Sequence, residues 1–574
     1  MGKRRQKAEA SRECAASRTR RWWIYPAAAL GVLWLTLEVY RPALRGPFLF
    51  DDLYLPFTNP GLQQAPLRYW LGQIRPVLML SYWISYRLGE MEPYAYHLFS
   101  VLAHLAAGLF VFLTARKILE AAQVEASRRQ IFAGFVALLF LWHPLQTESV
   151  AYIAGRSEVL AGTFYLGALT LFVVRPGTAI SWTRAAAVLS LYAAAVLSKE
   201  HAASLVAVLA ITDLYWNGGW GGIRRNWRLY APLVVAAAAA AGFVWHVLAT
   251  SNTAGFGVRQ FTWWQYFLTQ CRALWLYLRL FLLPYGQNLD YDLPVSRTPL
   301  EYGALVGLLG LAVLVGFALV GRKCFPLASY GILCALATLA PTSSIVPIAD
   351  PAAERRMYLA IPWLALAIVE ALRRWKATMP KLAAVLGLWL ALLGAATWQR
   401  NQVWADPIAL WQDTVAKSPH KQRPRFQLAY AYYHEGRCEE ALPHFEQAAR
   451  LGPADYRLLV DWALAADCAG RADLALEKLR AAAALENTAH VHALMGMVYG
   501  KRNRRDEALR ELGIAERLDP GFEMTYVYRG NVFLEAGDPR AALAEYQRAL
   551  KLNPRNPGAR QGLSQATAAL SAAR

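Results

Sequence analysis

The sequence predicts an all-α chain in two parts, a polytopic helical membrane domain followed by a helical repeat solenoid. Three observations carry this. Apolar runs fill residues 22–398 and then stop. Only 17% of the 574 residues are charged, where a soluble chain carries about a quarter. The polar remainder repeats itself at a near-constant period, which its alanines, glycines and prolines all mark.

Residues 1–21 form a basic tail, with Lys3-Arg4-Arg5 and the arginines of 18–21 reading as a cytoplasmic anchor flank. The apolar run at 22–40 is longer than a signal-peptide core and lacks a convincing cleavage site, so it is expected to stay as the first span. The formal charge of +20 invites a nucleic-acid partner. That reading is rejected because Arg and Lys gather at the ends of the apolar runs, as the positive-inside rule requires.

The further runs at 94–113, 131–143, 159–174, 185–197, 202–216, 229–248, 302–320, 326–345, 357–370 and 382–398 bring the domain 22–400 to about 11 spans. The basic loops with Arg116, Lys117, Arg128, Arg129, Arg184, Arg224, Arg225, Arg322, Lys323, Arg373 and Arg374 then fall on the inner side. The aromatic-rich stretch 263–283 is expected to be interfacial or re-entrant, because a span there would turn the last two clusters outward. This topology puts the acidic doublet Asp51-Asp52 and the C-terminal domain on the outer side.

The solenoid is read from evenly spaced alanines, Ala441, Ala475, Ala508 and Ala542, inside four similar tetrads. Gly436, Gly470 and Gly537 sit at the turn before each second helix, with Asn503 in the third repeat, and Pro453, Pro520 and Pro554 close the units. This is the tetratricopeptide pattern, placed at 401–557 with a capping helix or tail at 558–574. Trp411 and Pro419 stand one full period before Phe445 and Pro453, which suggests a partial first unit whose helix continues the last span.

Such arrays offer a groove to a protein partner. Tyr430, Tyr433, Tyr499, Tyr526 and Tyr528 could line it, or could be inter-repeat core. Cys438 and Cys468 fall in neighbouring turns, where a disulfide is plausible in an oxidising compartment. Cys271, Cys324 and Cys334 are expected to be inert, and no cysteine pair has metal-ligand spacing.

Ionisable groups at span ends are functional candidates because lipid makes them costly. On the outer side these include Asp51, Asp52, Arg75, His97, His143, Glu148, Arg156, Glu158, Lys199, Glu200, Glu354, Arg355 and Arg356. Carboxylates with cations suit transfer from a lipid-linked phosphosugar. One acid takes the proton of an acceptor hydroxyl, and Arg or Lys stabilises the leaving phosphate.

The ordered segments Phe50-Asp51-Asp52, Arg75-Pro76, Tyr96-His97, His143 to Val150, Gly155-Arg156-Ser157-Glu158, Ser198-Lys199-Glu200 and Glu354 to Leu359 resemble the transmembrane-and-tetratricopeptide-repeat O-mannosyltransferases. The resemblance covers nearly the whole chain. It implies a GT-C membrane fold, a polyprenyl-phosphate-linked hexose as donor, and Ser or Thr of a protein as acceptor. It makes one of Asp51 and Asp52 the base, with Asp52 favoured, although the pair could also cap a helix or hold a cation. Glu354, Arg355 and Arg356 become the phosphate clamp, with Lys199 beside Glu200 as a further ligand or an ion pair.

The segment from His143 to Glu158 would shape the acceptor site, with Glu148 positioning a sugar or a metal, or Thr147 and Ser157 would cap helices. His97 and His104 share a helix face and are expected to pack. The only cofactor-like molecule implied is the lipid-linked donor, and metal need stays open. Two alternatives remain: a non-catalytic anchored repeat scaffold, and a lipid-sugar transferase acting on a glycan. The composition suggests a bacterial inner membrane, with the N-terminus cytoplasmic and the repeats periplasmic.

Overall fold

The computed structural model describes residues 24–175, 179–250 and 254–572. The basic tail at 1–21 and part of the loop around 251–260 lie outside them. The described residues are helical, with no strand and one isolated bridge between Ala254 and Ile348. The chain divides into two compact units, Met1–Leu410 and Trp411–Arg574.

Among the described residues of the first unit, four helices are long and apolar enough to cross a bilayer: Pro26–Leu44, Pro93–Ala121, Glu301–Val320 and Met379–Trp404. The bent pair Ala126–Trp142 and Pro144–Val150 makes a fifth if it acts as one span. This is fewer than the expected count of about 11. Trp182–Val196, Pro326–Leu339 and Ile361–Leu372 are apolar but short, at 10 to 17 residues, where about 20 are needed. The stretch expected to be interfacial is the helix Trp263–Leu282, capped by Thr262 and Gln265.

Two breaks in these helices build the region of interest. His143 and Pro144 end Ala126–Trp142 and turn the chain by 50° into the short helix Thr147–Val150. The next helix, Arg156–Val173, starts after Gly155, where a Cβ would lie 2.5 Å from the Glu148 carbonyl. Only glycine fits so close a turn. Across from it, a short 3₁₀ turn, Glu354–Met357, leads into Ile361–Leu372. The buried ring of Tyr358 packs where a Cβ on Gly162 would stand 2.4 Å away.

The second unit is a stack of antiparallel helix pairs: Gln422–His434 with Cys438–Leu451, Tyr456–Cys468 with Ala472–Leu485, Ala489–Lys501 with Arg505–Leu518, and Glu523–Glu535 with Pro539–Leu552. Pro557–Ala572 closes it. The period-marking alanines 441, 475, 508 and 542 are fully buried between helices. Gly436, Gly470 and Gly537 adopt φ of 72°, 74° and 76°, and Asn503 takes the same left-handed turn at 57°. Asparagine is among the few side chains that tolerate it. Tyr499 and Tyr526 are inter-repeat core, while Tyr430, Tyr433 and Tyr528 are half-buried.

Cys438 and Cys468 are joined in a disulfide with Cα atoms 5.9 Å apart. It closes a 30-residue separation, for which chain-entropy arguments give about 3–4 kcal/mol. Reduction is therefore expected to lower the unfolding midpoint of the repeat unit, and a Cys438→Ser, Cys468→Ser variant should melt at the reduced protein's temperature whether or not reductant is present. Cys271 and Cys334 are buried, whereas Cys324 is exposed in a turn.

Candidate functional site

The acidic doublet lies in the 3₁₀ turn Phe50–Tyr54, entered through Phe50 at a left-handed φ of 48°. Its two carboxylates have opposite surroundings. Asp52 is 1% exposed, and its oxygens accept from the Leu49 N–H at 3.0 Å and the Ala154 N–H at 2.7 Å. Asp52 thus pins this turn to the 147–156 segment. Burial pushes its carboxyl up to about 7, against the pull of those backbone donors. Asp51 is exposed. Its backbone N–H donates to the Tyr152 hydroxyl at 3.0 Å. Burial and the two acids push the Tyr152 phenol well up, so it stays protonated beside the Asp51 carboxylate.

The preference for Asp52 as base therefore meets a physical objection. A carboxylate sealed from solvent with both oxygens occupied cannot reach an acceptor hydroxyl without opening the turn. Nor does Asp52 cap the next helix, since its partners are the Leu49 N–H of its own turn and the Ala154 N–H.

Asp52 also makes stability depend on pH. Its folded value lies above the unfolded one near 4, so the native state holds the proton more tightly. Its contribution is most favourable below about pH 4 and is lost as pH rises through about 7. Asp52→Asn is expected to flatten that part of the stability–pH curve, measured by thermal unfolding from pH 4 to 8.

Cations gather beside the doublet. Arg355 donates from its backbone and its guanidinium to the buried Glu148, the backbone bond at 2.8 Å. Burial works against the Arg355 charge, but Glu148 outweighs it and holds the guanidinium above its usual range. Arg355 also acts electrostatically on Tyr152 and on Glu158. Glu158 accepts from Lys199 at 2.6 Å and faces His201 Nε2 at 3.1 Å. Lys199 also donates to Ser157 at 3.2 Å. Arg75 forms a two-pronged pair with Glu200, both bonds 2.8 Å. Arg355, Lys199 and Arg75 keep 29%, 18% and 36% side-chain exposure, so a ligand can reach them.

Several predicted site residues are instead internal stitches. Arg156 is wholly buried. It donates to Ser81, Ser85 and Ser100 hydroxyls and to the Tyr96 carbonyl, and lies over the rings of Tyr82, Tyr96 and Phe99. His97 hydrogen-bonds the Gly46 carbonyl at 3.2 Å. His143 accepts from the Leu145 N–H, bonds the Phe281 carbonyl at 3.0 Å and stacks on the Phe281 ring. His104 bonds Tyr358 and the Leu141 carbonyl, the expected packing role.

Glu354 faces away from the phosphate role. It accepts from Gln287 and Tyr291 side chains and the Asn288 N–H, and burial pushes its carboxyl up. Arg356 donates to the Tyr266 hydroxyl and the Asp350 and Pro351 carbonyls. Of the three residues expected to form a clamp, Glu354 is buried and occupied within the fold, while Arg355 and Arg356 are both partly exposed. Thr147 and Ser157 donate to carbonyls three residues back rather than accepting from helix N–H groups.

The sequence reading missed Tyr152 and His201. Tyr152 looks like one more aromatic at a span end, and its place three residues before Gly155 gives no chemical signal. His201 directly follows Lys199-Glu200 and could have been added to that motif. Among the described residues no group of His, Cys, Asp and Glu is arranged to hold a metal ion.

Near Met357 an apolar cavity of about 370 Å³ opens between Trp263–Leu282, Ala304–Val320, Pro326–Leu339 and Ile361–Leu372. Tyr277 stands in its wall, and the Tyr277 hydroxyl accepts from the Ala353 N–H at 3.0 Å, which ties the cavity to the turn carrying Arg355.

A tetratricopeptide-repeat family model matches residues 524–556. The human protein O-mannosyl-transferase TMTC3 is 23% identical over 596 residues, covering 89% of this chain and 62% of its own length. The Caenorhabditis elegans protein O-mannosyl-transferase F38B6.6 is 25% identical over 460 residues, 73% of this chain and 62% of its own. The Xenopus laevis protein O-mannosyl-transferase tmtc2 is 33% identical over 210 residues, 33% of this chain and 23% of its own. The curated homologues of the chain are thus TMTC O-mannosyltransferases, and the chain spans less than two thirds of their length. Among solved structures, the repeat protein YrrB aligns with 32% of this chain and 91% of its own, at 20% identity and a TM-score of 0.24.

Proposed function

We propose that the chain is an inverting membrane glycosyltransferase of GT-C type. It moves a hexose, mannose in the first instance, from a polyprenyl-phosphate donor to a Ser or Thr hydroxyl of a protein. The observation that carries this reading is the exposed Asp51 carboxylate, backed by a sealed Asp52 and flanked by Tyr152 and the Arg355 network. Homologues named protein O-mannosyl-transferases support the reaction class.

Asp51 takes the acceptor proton as the hydroxyl oxygen attacks the anomeric carbon. The bond from that carbon to the phosphate oxygen breaks, and the phosphate leaves with the electron pair. Arg355, assisted by Lys199 and Arg75, meets the charge that develops there. The apolar cavity beside Met357 suits a hydrocarbon tail, which supports a lipid-linked donor.

The disulfide between Cys438 and Cys468 supports an oxidising compartment for the repeats, in keeping with a periplasmic placement and a cytoplasmic N-terminus. The repeat groove would present the acceptor protein. The test is transfer from defined polyprenyl-phosphate hexoses by the purified chain, with mass spectrometry of a Ser/Thr-rich acceptor. Hexose on a hydroxyl supports the reading. A folded chain that modifies no acceptor with any such donor would leave the repeat scaffold as the better account.

A further inference from the structure

The two basic loops that the positive-inside pattern singled out, around Arg128 and around Arg373, are far apart in sequence but meet in space. Arg128 donates to the carbonyls of Arg373, Trp375 and Ala377 at 3.4, 3.1 and 3.0 Å. Between the loops lies a cavity of about 300 Å³, lined by Gln123, Val124, Glu125, Arg128, Arg373 and Arg374.

This cavity is remote from the doublet. Ala126–Trp142 runs from Arg128 towards Glu148, and Ile361–Leu372 runs from the Arg355 side to Arg373. At 1.5 Å per residue the two helices separate the sites by about 18–25 Å.

The charges in its wall do not balance. Arg373 and Arg374 both reach one oxygen of Glu370, at 2.8 and 3.0 Å, while the other oxygen accepts from the Leu327 N–H at 2.9 Å. Two guanidinium groups thus share a single carboxylate. The hydrogen bonds from Arg128 go to carbonyls, and Glu125, which is exposed, accepts from Ser127. Three cations against two acids leave the wall positive, with exposed Lys376 adjacent. Trp375 is 44% exposed at the same turn, at the end of an apolar helix. Basic pockets between apolar helices, rimmed by an indole, are where anionic headgroups settle.

We propose that this cavity binds the phosphate headgroup of an anionic phospholipid at the membrane face opposite the doublet. The proposal does not depend on which reaction, if any, Asp51 performs. Val124 and the methylenes of the arginines would receive the glycerol portion, and the guanidinium groups the phosphate.

The test uses the full chain in phosphatidylcholine nanodiscs with and without phosphatidylglycerol, counting retained lipid by native mass spectrometry. R373Q/R374Q is expected to lose phosphatidylglycerol retention about tenfold, the effect of roughly 1.4 kcal/mol, and R373K/R374K to keep most of it. Glu125→Gln leaves the Glu370 pairs intact and is expected to raise retention about two- to threefold by removing a repulsive charge, which decides the matter if the double variant misfolds. Equal retention in wild type and Glu125→Gln would overturn the proposal. So would displacement of phosphatidylglycerol by millimolar inorganic phosphate in the mixed discs, which would mark a site for the free anion.

Discussion

Asp51→Asn is expected to lower hexose transfer by about 10²–10⁴-fold, the usual worth of a positioned general base, while the unfolding midpoint stays within about a degree of wild type. The asymmetry follows from exposure. The Asp51 side chain faces solvent, so replacing it removes a proton acceptor and little packing. Asp52→Asn should behave differently. Its two oxygens each hold a backbone N–H, and an amide offers one acceptor and one donor in their place. One of the Leu49 and Ala154 N–H groups would face an NH₂, so the turn should loosen and activity should fall together with stability. Activity would then partly recover at lower temperature. If Asp52→Asn removes transfer with the fold intact and Asp51→Asn does not, the roles of the two acids are reversed.

Arg156→Met is expected to destabilise the first unit by about 3 kcal/mol or more, read as a large drop in the thermal midpoint of the full chain in detergent. The side chain is entirely buried and binds three serine hydroxyls and the Tyr96 carbonyl across two other helices. Methionine fills much of the volume but supplies none of those four hydrogen bonds. Arg156→Lys should rescue little, because one ammonium cannot reproduce a planar fork with partners on several sides. A residue that bound donor phosphate would behave oppositely, with KM raised and the midpoint unchanged.

The contrast between Asp51 and Arg156 shows what was legible. Ionisable residues at the ends of apolar runs mark themselves by their cost in lipid, so Asp51, Arg75, Glu148, Glu158, Lys199 and Arg355 could all be named as candidates. Sequence spacing does not say whether such a group faces a ligand or another helix. Arg156, His97, His143 and Glu354 carry the same signal and turn out to bind backbone carbonyls, N–H groups and hydroxyls within the fold. Tyr152 carries no such signal, because a tyrosine near a membrane surface is ordinary.

The repeats were legible from their turns. A left-handed turn recurring once in every repeat requires glycine or a tolerant substitute, and Asn503 obeyed that rule. Membrane spans were less legible, because hydropathy registers apolar content and cannot see that Pro326–Leu339 and Ile361–Leu372 stop short.

The disulfide has a mechanical consequence. Cys438 opens the second helix of one repeat and Cys468 ends the first helix of the next, so the bond crosses the joint between them. A solenoid changes its curvature by small rotations at such joints. This joint is welded, whereas the later ones, after Leu485, Leu518 and Leu552, are held by packing and surface charge pairs. Any flexing with which the array grips or releases a polypeptide must therefore be taken up towards its C-terminal end, as in a spring with its first coil soldered.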